Sequence, residues 1–185
     1  MRKAKVMRRL VDTLVDEVRL PVPTTPDALF GELIRAVGKG TGRELELVKE
    51  RFPYGTASGL WLDLPDRDLV VVEQRATPLH QLAIFFHEVW HLETGTCASH
   101  VVGLPVAARM LSTRPDLPQL AETVRRVAAR SDFSRVEEAD AERFGLLAVT
   151  RFRMWLEGED DGPSADLGEI AGRIGASLGS RRRQV

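Results

Sequence analysis

Apolar residues recur at helical spacing over the first twenty positions, where Val6, Leu10, Val11, Leu14 and Val18 mark one face of an amphipathic helix that PVPTTP brings to an end. Thr25, Pro26 and Asp27 supply an N-cap, a first-turn proline and a first-turn acid, so a second helix is predicted to about Val37, with GKGTG as its exit. The period then changes. RELELVKE and SGLWLDL alternate apolar and polar residues while DLVVVEQ is more continuously apolar, which predicts three short strands in a small, mainly antiparallel sheet. Thr77 and Pro78 open a third helix, which carries HQLAIFFHEVWHLE and stops near Gly95. A helix from about Gln119 to Arg130 follows. Ser134 and Glu137 then have the spacing of a capping box ahead of a long helix to about Leu156. The loop EGEDDGPS, a weak glycine-rich helix and the basic RRRQV close the chain.

These elements predict an α+β fold, mostly helical, with a short three-stranded sheet. The expected organisation is an N-terminal amphipathic helix and linker over 1–24, one main domain over 25–157, and a C-terminal loop, weak helix and basic tail over 158–185. A chain of 185 residues suits a single well-formed core, and 43% apolar with 29% charged residues is ordinary for a globular protein. The formal charge of -1 gives no global attraction to nucleic acid or anionic lipid, so direct nucleic-acid binding is not expected. Asp12, Asp16 and Glu17 interrupt the N-terminal helix before it could read as a signal peptide, and no segment approaches the roughly 20 apolar residues of a membrane span. The single cysteine, Cys97, excludes an internal disulfide and suits a reducing compartment. The expected location is cytoplasmic.

The third helix carries the chemistry. Ala83, Ile84, Phe85, Phe86, Val89, Trp90 and Leu92 make it apolar nearly all round, which places it at the centre of a core, yet His87, Glu88 and His91 interrupt the run. Histidines four apart project from the same helical face, where two neutral imidazoles can hold one Zn²⁺ and the intervening glutamate can serve as general base. The plainer alternative is a buried helix whose histidines are satisfied by carbonyls or carboxylates. A catalytic zinc usually has a third protein ligand. His80 shares the face of His87 but lies about 10 Å along the helix. His100 falls in a loop, and Cys97 stands at a spacing where other zinc peptidases carry a histidine. In SRVEEADAERFGLLAV the stripe Ala141, Phe144, Ala148, Phe152 and Trp155 faces the core, and one step back along it lies Glu138. A carboxylate there needs a partner, and a metal on the neighbouring helix would serve. Glu137 is taken by the capping box and Asp140 turns away. Glu142, one turn after Glu138, either hydrogen-bonds a ligand imidazole or faces solvent.

HEVWH at 87–91, followed by Glu138, Ala141, Phe144 and Gly145, resembles the ImmA/IrrE family of zinc metallopeptidases. The later residues match its E-x-x-A-x-x-F-A pattern, with Gly145 in place of the last alanine, and Trp90 stands where the family often has glycine. SGLWLD and DLVVVE are similar to the strands that feed its active-site helix, and the likeness spans roughly residues 25 to 155. The resemblance implies a zincin-like α+β domain around a central HExxH helix and a gluzincin-like site, with His87, His91 and Glu138 as zinc ligands and Glu88 as base. It also implies an intracellular peptidase acting on a protein such as a helix-turn-helix transcription regulator, supplied as a separate chain. A zinc-containing regulator that sequesters its partner without cutting it is the alternative, and a zinc hydrolase of a non-protein substrate is a third. Tyr54, His80 and His100 are the candidates for an oxyanion stabiliser.

Overall fold

The structure, a computed structural model, describes residues 2–52, 58–95 and 135–158. Within them, α1 spans Arg2–Glu17 and α2 Pro26–Thr41; β1 (Glu44–Glu50), β2 (Gly59–Asp63) and β3 (Arg67–Glu73) follow, then α3 (Pro78–Thr94) and α4 (Arg135–Glu157). The expected helix from 119 to 130, Tyr54, Cys97, His100, Ser134 and the tail beyond 158 lie outside the described residues.

Each helix boundary has a local cause. Thr25 accepts a hydrogen bond from the Ala28 amide at 3.3 Å, and Thr77 accepts one from the His80 amide at 3.4 Å; each stands before a proline, which has no N–H and so needs no acceptor. α3 ends at Gly95 with φ 62°, as expected. α2 instead continues through Gly38 and Gly40 and stops at Gly42, whose φ is 70°. Glycine is required inside that last turn because a Cβ on Gly38 would lie 2.9 Å from the Arg43 carbonyl oxygen, where the chain folds back into β1. In α1 the buried stripe is Met7, Val11 and Leu14, continued by Val18, while Val6 is 53% exposed. The expected stripe was therefore displaced by one residue at its start.

The sheet corrects the antiparallel expectation. Its order is β1-β3-β2, with β2 antiparallel to β3 but β1 parallel to it, and the parallel ladder is the longer. The reason lies in β3. Leu69, Val70, Val71 and Val72 are fully buried, so this strand takes the centre, where both faces are covered. A tight turn after β2, closed by the Leu64 amide on the Arg67 carbonyl at 3.0 Å, returns β3 between its two predecessors.

α3 packs on β2 and β3 on one side and on α4 on the other. Every residue from Gln81 to His91 is buried. Phe86 stacks on Phe152 at 5.1 Å between ring centroids, and Trp90 lies 5.1 Å from Phe144, so Trp90 is committed to the α3–α4 contact. Each such ring contributes about 1.5–3 kcal/mol through burial. Gly145 allows the closest approach, since a Cβ there would sit 2.9 Å from the Ala83 carbonyl oxygen. α1 braces α4 from outside through Lys3 to Asp140 at 2.6 Å and Arg151 to Asp12 at 2.9 Å. Asp140, expected to turn away from the apolar stripe, bonds Lys3 and is buried beneath α1.

Candidate metal centre

The first turn of α4 meets the last turns of α3. Nε2 of His87 lies 3.5 Å from Oε2 of Glu138, Nε2 of His91 lies 3.5 Å from Oε1 of the same carboxylate, and the two Nε2 atoms are 3.1 Å apart. Among the described residues these three side chains form the one group able to hold a metal ion, with a ligand atom from each lying within 4.8 Å of the others. Helical periodicity aims both imidazoles the same way, and the apolar stripe of α4 carries Glu138 to them. The histidines are buried, whereas the Glu138 side chain retains 19% of its exposure.

The donor set fits a divalent cation. Ligands about 2.0–2.1 Å from a tetrahedral zinc are about 3.3–3.4 Å apart, close to the observed separations. Charge argues the same way. Burial alone would favour neutral His87, yet the carboxylates of Glu138, Glu88 and Glu142 outweigh it and raise its pKa. A buried cluster with this excess of negative charge is stabilised by a cation, whether protons or a metal. His80 does not join the group. Glu142 is half-buried, and its charge acts on His87; no hydrogen bond among the described residues reaches the buried Nδ1 of that histidine.

Glu88 is turned toward the sheet. It is 1% exposed and accepts a hydrogen bond from the Trp61 backbone amide. Burial pushes its carboxyl up to about 7; a charged His87 opposes the rise, Glu138 adds to it and the Trp61 amide opposes it. A divalent cation on the neighbouring donors would draw that value down. Trp61 is itself fixed, because its indole Nε1 donates to Asp68 at 2.9 Å and Arg43 Nε donates to the other oxygen at 2.8 Å. This support from β2 was missed in the sequence, where the available signal was a glycine inside a strand, Gly59, which marks a close approach.

No family model, curated protein or solved structure matches the chain. Among the described residues no helix is long and apolar enough to cross a membrane.

Proposed function

We propose that the protein is a zinc-dependent metallopeptidase with a zincin-like catalytic domain, acting inside the cell on a protein substrate such as a helix-turn-helix transcription regulator. The observation that carries this reading is the convergence of His87, His91 and Glu138, with Glu88 adjacent on the same helix. The substrate class rests on the resemblance of HEVWH and the Glu138 to Gly145 segment to ImmA/IrrE peptidases.

His87, His91 and Glu138 would hold a zinc ion, whose Lewis acidity would lower the pKa of water and polarise a carbonyl. His87 and His91 serve as neutral imidazoles presenting Nε2, and Glu138 contributes one negative charge. Glu88 takes a proton from water as its oxygen adds to the scissile carbonyl carbon, then delivers that proton to the departing amine nitrogen as the C–N bond breaks. A group that first accepts and then returns a proton works best with a pKa near the working pH, and burial, which pushes the Glu88 carboxyl up to about 7, suits it to that task better than an exposed carboxylate.

Glu88→Gln is the discriminating variant. It should keep one zinc per chain by elemental analysis and still bind the partner, while cleavage of neighbouring-gene products followed by mass spectrometry falls by about 10²–10⁴-fold. If the variant works as well as the wild type, hydrolysis is not the function and sequestration of the partner takes its place.

A further inference from the structure

Gly59 lies in β2 directly beneath Glu88. A Cβ built on it would fall 2.5 Å from Oε1 of Glu88, 3.1 Å from its Cγ and 2.5 Å from Cγ2 of Ile84. Distances this short mean that the space a side chain would fill at position 59 is already taken by the glutamate and by the helix that carries it. The strand also supplies a donor. Ser58 accepts from Glu73 and Leu64 donates to Arg67, so the even-numbered residues of β2 turn their polar groups toward β3 and the odd-numbered ones turn them outward. The Trp61 amide is one of the outward groups, and Glu88 takes it. The indole of Trp61, held by Asp68, keeps that amide in place. β2 thus offers a gap at one residue and a hydrogen-bond donor two residues later, with a single carboxylate using both.

We infer that Gly59 is a positioning residue for Glu88: its missing side chain forms the slot in which the carboxylate rests against β2, held by the Trp61 amide and oriented beside the three metal donors. The inference rests on the peptidase reading for its catalytic consequence but not for its geometry. Gly59 touches neither a donor atom nor a substrate. Filling the slot should displace the base while leaving His87, His91 and Glu138 in place.

The test uses the full chain, with Co²⁺ as the metal probe and the best-cleaved member of a quenched-fluorescence peptide library as substrate. Gly59→Ala should bind Co²⁺ with an affinity within about threefold of wild type and show an unchanged KM, while kcat falls by at least about tenfold. A four-way stability comparison of wild type, Gly59→Ala, Glu88→Ala and the double variant supplies a readout independent of catalysis. The loss of thermal midpoint caused by Gly59→Ala should shrink by at least half when Glu88 is already alanine. If Gly59→Ala does not fold, the Ile84→Ala background removes the aliphatic contact, leaves the carboxylate clash alone, and the same comparisons are made there. An unchanged kcat, or an equal loss of midpoint with and without the Glu88 side chain, overturns the inference. A wild type that binds Co²⁺ but cleaves no library member overturns the peptidase reading and the catalytic role together, and the stability comparison then decides whether the carboxylate occupies the slot.

Discussion

Glu138 differs from the two histidines in how it reaches the site. The imidazoles share one helix and stay together whenever α3 forms, whereas the carboxylate comes from the start of a different helix and completes the set. Glu138→Ala should therefore leave the fold intact and weaken zinc binding by at least about two orders of magnitude, measured by competition with a chromophoric chelator. A retained nanomolar affinity would show that Glu138 is not a ligand. His87, His91 and Glu138 could all be read from the sequence because helical spacing and a core-facing stripe are local patterns. The contact between Glu88 and the Trp61 amide could not, since it depends on which strand passes beside α3 and which way its amides point, and neither is encoded in α3 itself.

Between elements, the α3–α4 contact sets the position of the third donor. Gly145 has no room for a side chain, because the backbone carbonyl of Ala83 occupies the space a methyl would need. Gly145→Ala should force α4 outward, destabilise the protein by about 1–3 kcal/mol in urea unfolding and weaken zinc binding in parallel, because Glu138 moves with the helix. An unchanged zinc affinity in a destabilised variant would separate packing from site geometry. Helix ends were legible wherever a side chain caps them, as at Thr25 and Thr77. Sheet direction was not. Alternation identifies a strand and a continuous apolar run identifies a buried one, but the burial of Leu69 to Val72 had to be weighed against β1 and β2 together to place β3 between them. The stripe of α1 shifted for a similar reason, since Met7 and Val6 are both apolar and only the docking against α2 and α4 chooses between them.

For the molecule as a whole, stability should respond to both acid and metal. Burial would raise the Glu73 carboxyl, but the guanidinium and amide of Arg75 and the Phe52 amide outweigh it and bring the pKa down to about 2. The folded value lies below the ordinary 4.5, so this carboxylate stabilises the protein above about pH 4.5 and loses that contribution as pH falls toward 2. Urea unfolding between pH 2 and 5 should show a shallower acid slope for Glu73→Gln than for wild type, and parallel curves would refute the assignment. Removing zinc with a chelator should lower stability by about 2.7 kcal/mol if free zinc had been held at a hundred times its dissociation constant. Scanning calorimetry with and without chelator measures that difference, and identical midpoints would count against a specific site. The placement of the donors on helices distant in sequence has a kinetic corollary. In a denatured chain His87 and His91 stay near one another while Glu138 does not, so on the proposed reading the complete donor set assembles only when α4 docks. Refolded in the presence of cobalt, the protein should acquire its colour in step with tertiary structure rather than with helix formation, making the ion a reporter on the docking of α4 against α3.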